Sequence, residues 1–204
     1  MARPYIVGLG GTTRASSSTQ MALSTALDAA RQKGADTLLL CGPDLDLPAY
    51  TPGAGTLVQG ARRIVAEIRR ADGIILGTPG YHGGISGLVK NALDYTEELK
   101  SDRRPYLEGR AVGCIVTAAG TQGAVATLMA LRSVVHALRG WPTPLGAAIV
   151  TANPVFDAAG NCLSPSIETQ LKVIAQQVFD FAALQMRVTS GDRRRMEVTF
   201  EQTA

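Results

Sequence analysis

The feature that most constrains this chain is a regular alternation of short apolar runs with longer amphipathic segments. Five apolar runs predict buried strands, and a segment with helical spacing follows each of them. This alternation predicts an α/β fold with a mainly parallel sheet. The predicted strands are residues 5–9, 36–41, 71–77, 110–117 and 145–150, and the predicted helices are residues 18–33, 57–70, 85–97, 124–139 and 165–187.

Right-handed crossovers and helices on both faces favour a doubly wound, three-layer sandwich with a five-stranded parallel sheet in the order 2-1-3-4-5. We predict one domain over residues 1–187, because no linker, repeat or low-complexity block interrupts the pattern. Residues 188–204, which include Arg193-Arg194-Arg195, depart from it. We expect this tail to be peripheral, either an arm used in oligomer contacts or a mobile end.

Composition excludes several classes of protein. The 204 residues are 46% hydrophobic and 18% charged, with a formal net charge of +3, which is too even to indicate a nucleic-acid partner. The three cysteines form no CxxC motif, and an odd number is typical of a reducing compartment. Neither a secretory signal nor an apolar stretch near the ~20 residues of a membrane helix is evident. We therefore expect a cytoplasmic protein without a membrane partner.

The segment after the first strand has the composition of an anion site. It runs from Gly10 to Thr19 into a predicted helix N-terminus, where free main-chain N–H groups and the helix dipole favour an anion. Hydroxyl groups and one arginine would bind a phosphate monoester. A single Ser or Thr used as a helix N-cap would explain part of the pattern but not the whole run. The candidate residues are Thr12, Arg14, Ser16, Ser17, Ser18 and Thr19.

Two further loops leave strands that neighbour the first one in the predicted order, so all three can meet at one ligand. The loop after the third strand is rich in Gly and Pro and would bring main chain close to a flat ring, although His82 could equally be an ordinary surface residue. The loop after the fourth strand offers main-chain N–H donors that could bind ring carbonyl groups. By itself, its composition does not indicate any particular ligand. The candidates are Pro79, Gly80, Tyr81, His82, Gly83, Ala118, Ala119, Gly120, Thr121, Gln122 and Gly123.

Competing motifs are incomplete. No Walker sequence occurs, and the dinucleotide fingerprint that begins at Gly8 and Gly10 has Thr13 in place of its third glycine. We find no paired carboxylates, no Ser–His–Asp order and no metal cluster, and His136 lies inside a predicted helix, where a structural role is favoured. Such a site suits a cofactor that performs the chemistry itself.

Two segments resemble the NADPH-dependent FMN reductases. Gly11-Thr12-Thr13-Arg14, with Ser17 and Thr19, resembles their phosphate loop GS-x-R-x-x-S. The segment ADGIILGTPGYHGGISGLVKNALD, from Ala71 to Asp94, is similar to their signature ADG-I-I-x-x-TPEY-x-x-S-x-x-G-x-LKN-x-LD. The resemblance covers about residues 4–185.

This resemblance implies a flavodoxin-like fold that binds FMN at the three loops. The first loop would hold the phosphate, and the other two would frame the isoalloxazine. Hydride would come from NADPH or NADH, and the electrons would pass to a small-molecule acceptor or to free flavin. Members of the family are commonly homodimers or homotetramers in which a neighbouring subunit covers part of the flavin.

The chain also departs from the family. The Glu after Pro79 is replaced by Gly80, which removes any contact that this Glu would make. Reductases of two-component sulfonate monooxygenases carry a Tyr near the position of Met129, so a flavin-dependent monooxygenase partner is less favoured. Two alternatives stay open: a flavodoxin-type electron carrier, which the sequence pI near 8.9 disfavours, and a Rossmann-type nucleotide-binding protein without flavin.

Overall fold

The computed structural model describes residues 2–53 and 57–201, and it describes side chains in the last helix as far as residue 189. A parallel sheet is formed by β1 (Tyr5–Gly10), β2 (Asp36–Leu40), β3 (Gly73–Tyr81), β5 (Ala111–Ala118), β6 (Trp141–Pro142) and β7 (Ala147–Val150), and β4 (Gly84–Ile85) is a short antiparallel addition. The helices are α1 (Ser18–Gln32), α2 (Gln59–Arg70), α3 (Gly87–Asp94), α4 (Thr121–Ala137) and α5 (Pro165–Glu201).

The sheet order is β2-β1-β3-β5, with β6 and β7 both paired to the outer edge of β5. This confirms the predicted flavodoxin-like order, in which β5 is the fourth predicted strand and β7 the fifth. The sheet has seven strands rather than five, because β6 pairs with the beginning of β5 and β4 pairs with the end of β3. Strands of two residues have too few side chains to produce a hydrophobic period, so the sequence pattern missed both of them.

Side chains on successive strand residues enter two separate cores. Ile74 and Leu76 of β3 belong to the core beneath α2, α3 and α4, whereas Ile75 faces α1 and α5. This alternation follows from the two-residue period of a strand. Both faces of the sheet are covered, so the central strands are apolar throughout, as the sequence predicted.

Helix bounds differ from the prediction at three places. The segment predicted as one helix over 85–97 is α3 followed by a 3-10 turn over Tyr95–Leu99, and α4 begins at Thr121 rather than near residue 124. Helix α5 does not end near residue 187 but continues to Glu201. Thr189 Oγ1 donates to the Gln185 carbonyl, 2.8 Å away, within the continuing helix. The side chains of residues 190–201 and all of residues 202–204 lie outside the described part, so the role of the tail stays a prediction.

None of the helices in the described residues is long and apolar enough to cross a membrane.

Candidate functional site

The three predicted loops lie at one edge of the sheet, at the carboxyl ends of β1, β3 and β5. These strands are direct neighbours, with Gly10 opposite Gly77 and Pro79 opposite Thr117. Strand β3 continues past the end of β1, so its last residues lie beyond the β1–β3 pairing and reach α4 at Thr127. Parallel topology therefore brings the three segments together, as the strand order predicts.

The loop between β1 and α1, residues 11–17 and called the α1 loop here, is tied to β3 at its base. The Gly11 main-chain N–H donates to the Gly77 carbonyl oxygen, 3.1 Å away. Gly10 has a φ of 145°, and a Cβ there would overlap the same carbonyl oxygen. Only glycine fits this close approach, so the Gly-rich start of the loop fixes its exit from the sheet.

The outer part of the α1 loop carries hydroxyls and one positive charge. Thr12 Oγ1 donates to the Arg14 carbonyl and accepts from the Arg14 N–H, each at 3.2 Å, which forms a tight turn. Ser16 is exposed with a φ of 54°, and Ser18 is half-buried at the helix start. The Arg14 guanidinium is exposed, and no acceptor among the described residues lies within hydrogen-bond distance.

Two of the predicted hydroxyls are engaged by the protein itself. Ser17 is the N-cap of α1, and its Oγ accepts from the Gln20 N–H at 3.3 Å. Thr19 is 1% exposed, and its Oγ1 lies 2.6 Å from Thr117 Oγ1. The Thr19 hydroxyl therefore faces β5 rather than the ligand edge. The main-chain N–H groups of Ser18 and Thr19 have no acceptor among the described residues, so they stay available to a ligand.

The second segment is a β-hairpin where the sequence predicted a loop over residues 78–84. Strand β3 continues through Tyr81 and pairs with β4. His82 and Gly83 form the tip with φ values of 52° and 78°, as in a type I′ turn. Pro79 is buried, and Tyr81, His82 and Gly83 are exposed. The predicted residues thus lie in a paired hairpin, which is stiffer than a free loop.

Gly80 joins this hairpin to α4. A Cβ on Gly80 would lie 2.8 Å from Thr127 Oγ1 and 3.3 Å from the Gly123 carbonyl oxygen. Thr127 is fully buried, and its hydroxyl donates to the Gly84 carbonyl at 3.4 Å. A side chain at position 80 would therefore push α4 away from the hairpin, which gives a physical reason for glycine where the family has Glu.

The third segment is mostly helical rather than a loop. Ala118 ends β5, Ala119 and Gly120 connect, and Thr121, Gln122 and Gly123 form the first turn of α4. Gly120 provides no side-chain cap, and the N–H groups of Thr121–Gly123 have no acceptor among the described residues. This leaves a second set of helix N-terminal donors at the same sheet edge.

The sequence reasoning did not select Thr78, Thr117 or Thr127, which hold the three segments in place. Thr78 Oγ1 is buried and accepts from the N–H of Ser86, the N-cap of α3, at 3.1 Å. Each of these threonines lies inside or directly after an apolar run, and this position could have indicated a buried hydroxyl that needs a hydrogen-bond partner. Asn91, part of the family-like signature, fastens the segment before α2, since its side chain bonds the main chain of Leu47, Pro48 and Tyr50.

The electrostatic character of the site comes from Arg14 and from two helix N-termini. Cys41, at the end of β2 beside Gly11, adds no negative charge at neutral pH, because burial and the Asp44 carboxylate raise the pKa of its thiol. N–H donors, hydroxyls and an unpaired guanidinium match the acceptors of a phosphate monoester, and the α4 turn offers donors for ring carbonyl groups. The donor set present therefore fits FMN.

Comparisons with known proteins agree with this geometry. A family profile described as NADPH-dependent FMN reductase matches residues 4–154. The FMN-dependent NADPH-azoreductase of Staphylococcus aureus is 31% identical over 142 residues, which are 67% of this chain and 70% of that protein.

Two solved structures share the fold. FerB, a flavoenzyme NAD(P)H:(acceptor) oxidoreductase from Paracoccus denitrificans, has a TM-score of 0.70 at 18% identity, covering 89% of this chain and 98% of FerB. The NADH:FMN oxidoreductase EMOB, in its apo form, has a TM-score of 0.66 at 19% identity, covering 88% and 89%. Because the family match includes all three segments at the sheet edge, the chain belongs to the NADPH-dependent FMN reductase family, oxidoreductases that work with FMN and a nicotinamide hydride donor.

Proposed function

We propose that this chain holds FMN at the carboxyl edge of β1, β3 and β5 and catalyses hydride transfer from NADPH or NADH to it. The observation that carries the proposal is that three groups meet at one edge of the sheet: the N–H groups of Ser18 and Thr19 at the start of α1, those of Thr121–Gly123 at the start of α4, and the Arg14 guanidinium, none of which has an acceptor among the described residues. The FMN phosphate and the flavin carbonyl groups are acceptors of the kind that these donors require.

The residues divide into two groups. Thr12, Arg14, Ser16 and Ser18 would bind the phosphate through side chains, and Ser17 and Thr19 would contribute through the main chain at the start of α1. Pro79–Gly83 and Ala118–Gly123 would frame the ring, with the α4 N–H groups donating to it. The chain thus supplies position and hydrogen bonds, and bound FMN would supply the chemistry of accepting a hydride and releasing electrons.

An anaerobic absorbance spectrum tests the proposal. The protein is incubated with FMN, desalted, and measured before and after addition of NADPH or NADH. We expect a retained oxidised-flavin spectrum that bleaches with the nicotinamide. A retained spectrum that neither donor bleaches would identify an electron carrier instead. If flavin washes away, turnover with excess free FMN would indicate that flavin is a substrate, and no turnover would refute the site.

The electron acceptor in this proposal is a small molecule or free flavin. An azo compound is the first acceptor to assay, because the Staphylococcus aureus relative is named an azoreductase. A quinone and free FMN complete the panel under the same NADPH concentration. Transfer to a flavin-dependent monooxygenase would require release of reduced flavin, which a trap for free reduced flavin would detect.

We further propose that the chain forms a homodimer or homotetramer through α4. Val125 and Met129 lie one helical turn apart and are 48% and 62% exposed, and Tyr81 at the hairpin is 55% exposed. Such apolar exposure beside a ligand edge is typical of a protein interface. Met129→Glu should reduce the molecular mass measured by analytical ultracentrifugation, whereas Val173→Glu on α5 should not.

The three free cysteines support a reducing, cytoplasmic location.

A further inference from the structure

A cavity lies at the opposite edge of the sheet from the FMN site. It encloses about 670 Å³ between the end of α2, residues 102–110 and α5. Asp72 and Arg110, which line it, directly precede β3 and β5. Since β5 has 8 residues at roughly 3.3 Å each, the two edges are about 26 Å apart. No part of the FMN site reaches this cavity.

Arg110 is a buried cation whose partners are main-chain carbonyls. It is 1% exposed; its Nε donates to the Ala71 carbonyl at 2.9 Å and its Nη2 to the Arg69 carbonyl at 2.9 Å. Its Nη1 donates to two further carbonyls at 3.2 Å. Within the described part of the chain, no carboxylate forms an ion pair with it. A buried charge that lacks a counterion is costly, so this guanidinium favours a negative charge nearby.

Two more arginines increase the positive charge. Arg104 donates through Nη2 to the Ala71 carbonyl at 3.0 Å, and its Nε and Nη1 have no acceptor among the described residues. Arg103 is exposed and likewise has no described partner. Burial, with repulsion from Arg104, lowers the pKa of Arg110 to about 10, although the Asp72 and Asp102 carboxylates oppose this shift. Burial also lowers the pKa of Arg104, the Asp72 carboxylate opposes that shift, and repulsion from Arg103 adds to it.

The negative groups around the cavity do not balance these cations. Asp102 is paired with Arg69, Oδ2 to Nε at 2.7 Å, and Asp72 Oδ2 accepts from the Tyr5 N–H at 2.9 Å. Four arginines and two aspartates line the cavity. The C-terminus of α2 adds roughly half a negative charge. More than one positive charge therefore stays uncompensated.

We propose that this cavity binds a small molecule that carries a phosphate group. Arginine forks bind phosphate oxygens through paired N–H donors, and the N–H groups of Arg103 and Arg104 with no described acceptor are available for this purpose. The volume of about 670 Å³ lies within the range of roughly 300–1,000 Å³ found for small-molecule sites, so a nucleotide-sized ligand fits as well as inorganic phosphate.

Isothermal titration of the FMN-saturated protein tests this proposal, because FMN then occupies the α1 loop. The probes are inorganic phosphate and AMP, at constant ionic strength set with chloride. We expect saturable binding of at least one probe. Arg103→Gln/Arg104→Gln should weaken it about tenfold or more, since charged hydrogen bonds to phosphate are lost. Arg62→Gln removes the same kind of charge from α2, outside the cavity, and should change binding less than about twofold.

The titration results either support or overturn phosphate binding at the arginine cavity. Saturable binding that only the double variant loses supports the proposal, and the probe that binds more tightly distinguishes free phosphate from a phosphorylated compound. Absence of saturable binding with both probes overturns it, and so does equal weakening by Arg62→Gln, which would indicate general electrostatic attraction. Should the double variant fail to fold, the single variant Arg103→Gln, which alters an exposed side chain, gives the same decision.

Discussion

The buried pair of Thr19 and Thr117 leads to a prediction that separates stability from ligand binding. Their hydroxyl oxygens lie 2.6 Å apart and join the first turn of α1 to β5. Thr19→Val removes one hydroxyl and keeps the shape of the side chain. It leaves the Thr117 hydroxyl buried without this partner, while the Thr19 main-chain N–H in the first turn of α1 is unchanged.

The expected size of the effect follows from this geometry. A buried hydroxyl that loses its partner costs about 1–3 kcal/mol, whereas removal of both partners is close to neutral. Thr19→Val and Thr117→Val should therefore each lower the free energy of unfolding by ~2 kcal/mol. In a domain of this size that corresponds to a fall in Tm of roughly 4–8 °C. The double variant should be more stable than either single variant, because no hydroxyl is stranded.

Denaturant unfolding of the four proteins measures the coupling energy, and fluorescence titration with FMN measures affinity for each. We expect FMN affinity to change less than about twofold in Thr19→Val, because the hydroxyl does not face the loop. If stability is unchanged while FMN affinity falls tenfold, the Thr19 hydroxyl binds the phosphate directly, as the sequence pattern alone predicted. That result would refute the orientation of the Thr19 hydroxyl towards Thr117 on β5.

Three further predictions concern charge, packing and pH. Arg14→Ala should weaken FMN binding about ten- to a hundredfold, as expected for loss of a charged hydrogen bond; unchanged affinity in the titration would remove Arg14 from the site. Gly80→Glu should lower Tm, because the new side chain meets Thr127 Oγ1, and Thr127→Ala should recover part of the loss; equal Tm values would contradict the close contact. Burial, with the hydrogen bond to Glu67, raises the pKa of Tyr5 to about 12 from 10.0, so this contribution to stability is complete below pH 10 and is lost as pH rises towards 12. Tyr5→Phe should flatten that alkaline loss in urea unfolding, and an identical pH profile would count against the bond.

The strand order could be predicted because the central strands are apolar on both faces and each is followed by a long amphipathic helix. The start of α4 could not be predicted, since Gly120 offers no side-chain cap and Thr121-Gln122-Gly123 has the composition of a loop. The hairpin was also missed. His-Gly is a weaker signal for a type I′ turn than Asn-Gly, and β4 has only 2 residues.

The hydroxyl-rich segment from Thr12 to Thr19 shows what the sequence alone could not predict. Composition indicated an anion site, but it gave six candidate residues equal standing. The structure separates Ser17, which caps α1, from Thr19, whose partner Thr117 lies 98 residues away. Which side chain turns inward depends on the rotation of α1 against the sheet, and packing on Leu23 and Leu27 sets that rotation. No local pattern contains this information.

Sheet polarity explains why both edges of this molecule favour anions, although for different reasons. Helices that follow strands begin at the carboxyl edge, so α1 and α4 direct unsatisfied N–H groups there, and Arg14 adds the only formal charge among the candidate side chains. Helix α2 ends at the amino edge, where its free carbonyls attract Arg104 and Arg110. Capping by arginine satisfies the carbonyls but leaves positive charge in excess.

The carboxyl edge thus offers main-chain dipoles and the amino edge offers side-chain cations. Salt should therefore weaken phosphate binding more strongly at the arginine cavity than FMN binding at the α1 loop, because short-range main-chain donors are less sensitive to screening than partly exposed charges.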